Sequence, residues 1–164
     1  VADIYLVGTN DKQRELAERL GFEHFYNTRE CDVVQQILKA TDGNGTDLVI
    51  ECTGFNEVLE ECLNLAKRGG KVLLVGNPHG DMNLGRDIYW KILRKQLQLS
   101  GTWNSSFIPE EDEDDWTRTL DAMQQGLLQP EKQITHWLKF EELAHGLQIM
   151  KNKSEYFNKV MMVR

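Results

Sequence analysis

Four strand-like runs separated by segments of helical spacing place the tightest constraint on the fold of this 164-residue chain. Residues 4–7 (I-Y-L-V), 47–52 (D-L-V-I-E-C) and 71–76 (K-V-L-L-V-G) are dense in aliphatic and β-branched side chains. Such runs suit strands covered on both faces by the helices of a parallel sheet. Residues 96–101 (Q-L-Q-L-S-G) alternate and predict a fourth strand, and the short apolar stretch at 22–26 predicts an edge strand. Strand and helix alternate throughout, which predicts a doubly wound α/β sheet with right-handed crossovers.

The helices carry their own start and stop signals. Asn10, with Gln13 three residues on, predicts an N-cap and capping box, with Leu16, Ala17 and Leu20 on one apolar face. Val33, Val34, Ile37 and Leu38 share a second face that ends at Gly43-Asn44-Gly45. Asn56 predicts the cap of a helix with Val58, Leu59, Cys62 and Leu65 inward, closed by Gly69-Gly70. Residues 86–95 place Ile88, Ile92 and Leu93 at helical spacing. Six acids at 110–115 suit the positive end of a helix dipole, or form a solvated first turn, ahead of Trp116, Leu120 and Met123. Beyond Gly126 a short strand at 134–137 is expected. A helix at 140–150, with Leu143, Leu147 and Met150 inward, and a closing strand at 159–163 follow it.

Composition narrows the function. With 40% hydrophobic and 27% charged residues, the chain reads as a soluble globular protein. A net charge of −7 argues against nucleic-acid and anionic-membrane partners, both of which favour a basic face. No apolar run approaches the roughly 20 residues that span a bilayer. Cys31, Cys52 and Cys62 form no C-x-x-C pair and are odd in number, which points to a reducing, cytoplasmic setting. The four histidines lack zinc-ligand spacing, and no metal site or catalytic residue is expected in this chain.

In doubly wound sheets, ligands bind at the carboxyl ends of the strands. The exits to watch are Gly8-Thr9-Asn10, Cys52-Thr53-Gly54, Gly76-Asn77-Pro78 and Gly101-Thr102-Trp103-Asn104. Glycine at or beside an exit lets a ligand approach the backbone, and it is also ordinary turn chemistry. The dinucleotide fingerprint G-x-G-x-x-G is missing, and the one G-x-G, Gly43-Asn44-Gly45, leads into a strand rather than a helix. The pattern fits a dinucleotide-binding sheet entered at its second strand.

Six motifs in order carry a resemblance along the whole chain. They are I-Y-L-V-G-T-N-D-K, D-L-V-I-E-C-T-G, G-G-K-V-L-L-V-G, L-S-G-T-W, I-T-H-W-L and N-K-V-M-M-V. Together they resemble the zinc-dependent medium-chain alcohol and polyol dehydrogenases. K-I-L-R-K followed by S-G-T-W is most similar to the galactitol-1-phosphate (hexitol-phosphate) 5-dehydrogenase branch. The resemblance implies a Rossmann-like domain at residues 1–130, lacking its first strand and glycine-rich loop. It also implies that residues 131–164 complete the family's catalytic domain. The zinc and most of the substrate site belong to an N-terminal domain of the intact enzyme, so this chain alone is expected to be inactive. In the family's strand order 3-2-1-4-5-6 the first strand is central. Either a gap repaired by chain exchange or direct pairing is therefore expected between the strands at Ile4 and Asp47.

The resemblance also implies a site for NAD or NADP. Gly8 stands where NAD-preferring relatives place an aspartate on the adenosine ribose, and Gly8-Thr9-Asn10 is similar to the Gly-Ser-Arg of NADP users without the guanidinium. Lys12 and Arg14 are cations near that position, or plain exposed helix residues. Cys52 and Thr53 flank the adenine and its ribose, unless Cys52 is simply a small buried hydrophobe. Gly76 and Asn77 meet the nicotinamide side. Thr102, Trp103 and Asn104 hold the carboxamide and wall the substrate pocket, or Trp103 packs in the core. Asn158 and Lys159 approach the pyrophosphate, or Lys159 faces solvent. The implied reaction is hydride transfer from a secondary alcohol of a polyol or polyol phosphate, in a homodimer or homotetramer. A zinc-independent quinone-reductase-like enzyme and a non-catalytic binding module remain as alternatives.

Overall fold

The computed structural model describes residues 3–106, 108 and 114–164. They form two compact units, one of residues 3–9 with 24–104 and one of residues 10–23 with 105, 106, 108 and 114–164.

The first unit holds two parallel sheets. Strand β1 (Tyr5–Gly8) pairs with β2 (His24–Asn27), Tyr5 opposite His24 and Gly8 opposite Asn27. Strand β4 (Ala66–Leu74) lies between β3 (Thr46–Glu51) and β5 (Gln98–Gly101). β1 and β3 do not pair, and among the described residues no strand of this chain joins the two sheets. The expected direct pairing is therefore not formed, whereas the gap is. Its rims remain apolar and open: Val7 is 45% and Ile50 51% exposed, although both sit in runs suited to two-sided burial.

Helix α2 (Val33–Ala40) starts on an Asp32 cap, whose carboxylate accepts from the Gln35 amide at 3.0 Å. Its Val33 and Ile37 pack with Leu65 against Tyr5, Tyr26 and Val49, so one small core touches both sheets. Helix α3 (Asn56–Leu65) buries Leu59, Cys62 and Leu63 on Ala66 and Val72 of β4. Helix α4 (Arg86–Lys95) covers the same core through Ile88 and Ile92, while Leu93 is exposed.

Asn56 was expected to cap α3, but it is the first helical residue. Its Oδ1 instead accepts from the Asn83 amide at 2.7 Å. Nor does Gly69-Gly70 close the helix: α3 passes directly into β4 at Leu65–Ala66. Residues 67–70 form an excursion inside β4, between the pairs Thr46–Ala66 and Leu48–Lys71. The end of α3 is closed from α4. The Lys95 ammonium donates to the carbonyls of Leu63, Asn64 and Ala66 at 3.2, 2.8 and 2.7 Å, placing a cation at the negative end of the helix.

The second unit contains α1 (Asp11–Arg19), α5 (Asp115–Gln124), β6 (Ile134–Lys139), α6 (Leu143–Asn152) and β7 (Lys159–Val163). Asn10 caps α1 as expected, accepting from the Gln13 amide at 3.0 Å, and Ala17 is buried. Asp114 caps α5, accepting from Thr117 at 2.7 Å and from Ile108 at 3.0 Å. The acids at 110–113 lie outside the described residues. β6 and β7 pair in parallel, and α6 packs on them through Gly146 and Ile149. A side-chain carbon at Gly146 would fall 2.5 Å from Met162 and 3.1 Å from Leu138. Leu143, Leu147 and Met150, expected inward, are exposed, and the buried residues of the helix are Gly146 and Ile149. Among the described residues no helix is long and apolar enough to cross a membrane.

Candidate functional site at the strand exits

A cavity of the first unit lies where β3, β4 and β5 end, apart from a larger, more open one beside Thr28, Cys31 and Glu61 that touches no strand exit of the three-stranded sheet. The cavity at the exits has a volume of about 350 Å³, and its walls include Glu51, Gly76, Asn77, Gly101, Thr102 and Trp103. Trp103 is 77% exposed, so it stands at the rim and packs in no core. The Thr102 amide extends the sheet by one bond, donating to the Leu74 carbonyl at 3.0 Å.

Glu51, the last residue of β3, organises the floor. It is only 3% exposed. Its Oε1 accepts from the Thr53 amide and hydroxyl, both at 2.6 Å, and from the Gly54 amide at 2.9 Å. Burial alone raises the carboxyl pKa, but these donors and the Gly76 amide outweigh it and hold the group below the ordinary glutamate value. Its main-chain carbonyl accepts from Val75 at 2.8 Å and Gly76 at 3.1 Å.

Two glycines let the exits of β3 and β4 meet. Gly54 has φ +78, and a side chain there would overlap the Asn77 carbonyl. A side chain at Gly76 would lie 2.6 Å from the Thr53 nitrogen and 2.7 Å from Glu51 Oε2. The His79 amide donates to the Gly54 carbonyl at 3.0 Å. The Phe55 and His79 rings stack with centroids 4.3 Å apart and planes 4° from parallel.

The structure thus gathers Thr53, Gly76, Asn77, Thr102 and Trp103 at one end of the three-stranded sheet. Cys52 is at the same exit and exposed, which excludes a buried packing role, and its thiol lies 3.9 Å from the Ile50 carbonyl. Asn104 is exposed and outside the cavity wall. Gly8 and Thr9 end the other sheet, where the Gly8 carbonyl accepts from the Thr28 amide at 2.9 Å. Asn10, Lys12 and Lys159 belong to the second unit. The Lys12 ammonium is paired with Glu15 at 2.8 Å, which raises its pKa, and Lys159 is exposed on β7 beside Ile134.

Sequence reasoning missed Glu51, Phe55 and His79. The signal available was a carboxylate inside an otherwise apolar strand run. Among the described residues no three His, Cys, Asp or Glu side chains converge as a metal site. His136 instead contacts Glu155 at 3.5 Å, and His24 stacks on Tyr5.

Comparison with known proteins shows the family. Residues 1–125 match the sequence model of the zinc-binding dehydrogenases. L-threonine 3-dehydrogenase of Pyrococcus horikoshii is 29% identical over 143 residues, covering 87% of this chain and 39% of that protein. The chain therefore spans less than half the length of this relative. Galactitol-1-phosphate dehydrogenase from Escherichia coli superposes with a TM-score of 0.81 at 22% identity, over 94% of this chain and 44% of that one. A zinc-binding dehydrogenase from Sinorhizobium meliloti 1021, solved bound to NADP, superposes at 0.80 with 24% identity over the whole of this chain and 46% of that one. The chain shares the Rossmann-like fold of these structures and belongs to the zinc-binding dehydrogenase family.

Proposed function

We propose that this chain is the NAD(P)-binding portion of a dehydrogenase that oxidises a secondary alcohol of a polyol or polyol phosphate. The carrying observation is the cavity at the ends of three adjacent parallel strands, the position where doubly wound sheets take nucleotides. Its walls suit that ligand. Gly76 and Gly101 present backbone without side-chain bulk, Thr102 offers polar groups at the rim, and Trp103 supplies a flat apolar wall. Thr53, Gly76, Asn77, Thr102 and Trp103 would hold the cofactor, which when bound accepts hydride at its nicotinamide ring. This chain's own contribution is to orient that ring and to keep water from one side of it.

Gly8, Thr9, Asn10, Lys12 and Lys159 complete the reading as contacts to the adenosine and phosphate groups, with Cys52 beside the adenine and Asn104 near the carboxamide. The described residues do not supply zinc ligands. Metal and most substrate contacts are assigned to the part of the relatives that this chain does not span. Residues 1–130 are the cofactor domain in this reading, and 131–164 complete the catalytic one. The named relatives support a hydroxylated substrate, and the hexitol-phosphate motif K-I-L-R-K directs the choice within that class. Assembly as a homodimer or homotetramer through the outer edge of β5, in the cytoplasm, belongs to the same reading.

Titration with NADH and NADPH tests it, read as energy transfer from the tryptophans to the reduced nicotinamide. Saturable binding with poor selectivity between the two is expected, and Trp103→Ala should weaken it about tenfold. Absence of binding by both sinks the proposal. Gly8→Asp should shift preference towards NAD by about 1–2 kcal/mol, because a carboxylate there repels a 2′-phosphate. An unchanged NAD/NADP ratio would remove Gly8 from the ribose site.

A further inference from the structure

Glu51 is a buried ionisable group at the floor of the cavity, and nothing in the reaction proposed above uses it. Its bonds are directed inward. One oxygen collects three donors from the β3 exit, and the other faces Gly76 on the β4 exit. The two exits are 25 positions apart in sequence, yet several links converge on their junction. They are the carboxylate oxygen beside Gly76, the main-chain bonds from Val75 and Gly76 to the Glu51 carbonyl, the seating of Gly54 on the Asn77 carbonyl, the His79–Gly54 amide bond and the Phe55–His79 stack.

We propose that Glu51 is a positioning residue that clasps the β3 and β4 exits together and so fixes the distance between the two ends of the dinucleotide site. This rests on the reading that the β3 exit meets the adenosine ribose and the β4 exit the nicotinamide side. A carboxylate is suited to the task because it accepts from several amides at once, at short distance and with charge assistance. Glutamine offers one acceptor oxygen and turns an amide donor towards the Gly54 or Gly76 amide, a donor against a donor. A ligand spanning both exits feels a change in their separation, whereas one using a single exit moves with it.

Amide exchange in the cofactor-free chain reads the clasp directly. Glu51→Gln should accelerate exchange at both Gly54 and Gly76 at least tenfold, with the Ile37 amide in α2 changing less than twofold. Acceleration at Gly54 alone overturns the clasp, since the carboxylate would then serve only its own loop. Uniform acceleration at all three overturns it too, as general destabilisation. Should Glu51→Gln fail to fold, Thr53→Val removes one donor to the same oxygen. About threefold faster exchange at Gly76 is then expected, and no change there refutes the link.

Calorimetric titration supplies the second arm. Glu51→Gln should lower NADH affinity about tenfold and affinity for ADP-ribose less than threefold. Equal losses overturn the spanning role. A wild-type chain that binds neither ligand overturns the cofactor reading, and the exchange arm still decides whether Glu51 joins the exits.

Discussion

The exit of β1 and the exits of β3 and β4 do the same topological job and are built differently. The β1 exit has one neighbour: Gly8 is tied to Thr28 at the end of β2, and the other side of β1 has no partner strand among the described residues. The β3 and β4 exits are tied to each other by a buried carboxylate, two glycine seats and a ring stack. Burial follows the same division. Val72 of β4, paired on both sides, is fully buried, while Val7 of β1 is nearly half exposed. Side-chain chemistry is alike in the two places; the number of neighbouring strands is not. Hydrophobic character suits a strand for the interior, and flanking strands and helices put it there.

The hardest blow to the clasped exits should come from Gly54→Ala. It combines overpacking against Asn77, about 1–3 kcal/mol, with a left-handed backbone penalty of about 1–2 kcal/mol. Gly43→Ala has a comparable φ, +78, but open space around it, and should lose only the second amount. Urea denaturation of both variants measures the gap. Equal midpoints would show that the junction yields, breaking the contrast between fastened and unfastened exits.

A smaller effect should appear in acid. Glu51 titrates below its ordinary value in the folded chain. Its contribution is therefore complete above the unfolded glutamate pKa of about 4.3 and disappears as pH falls through the folded value. Glu51→Gln should flatten the loss of stability in that window and leave the slope near pH 7 unchanged. Part of the acid dependence should survive, because the Thr117 and Ile108 amides likewise lower the Asp114 carboxyl in the second unit. Identical acid limbs for wild type and Glu51→Gln would remove Glu51's charge from the comparison.

The smallest perturbation sharpens the picture without altering stability. Cys52 at the exit is exposed, whereas burial against α3's core pushes the Cys62 thiol up to about 12. In the native chain an uncharged aromatic disulfide reagent should label Cys52 quickly and Cys62 only on unfolding. Rapid labelling of Cys62 would show that the core beneath the clasped exits opens.

Much of this was legible in the sequence, and the failures share a cause. The closing strand occupies residues 159–163 as its apolar run predicts, and Asn10 caps α1 as its spacing predicts. Both depend on neighbours within a few positions. Leu143, Leu147 and Met150 of α6 have the right period, but the buried residues of that helix are Gly146 and Ile149, and a glycine carries no apolar signal to mark its face. Glu51 reads as an oddity in a strand until Gly76, 25 positions away, is brought beside it. Periodicity reports local geometry; the donors that satisfy a buried carboxylate come from wherever the topology delivers them.

The joint between α3 and β4 also determines where the chain can change length. At Leu65–Ala66 helix becomes strand with no intervening residue, both flanking side chains are buried, and Lys95 grips the carbonyls on either side. One extra residue there would rotate α3 by about 100° or turn Val72 to the opposite face of the sheet. A few positions later, residues 67–70 already loop out of register, and a side chain at Gly69 would meet nothing within 4 Å. Insertions and deletions accumulated among relatives should cluster at 68–69 and be absent from 65–66, so that two neighbouring points of one strand diverge at very different rates.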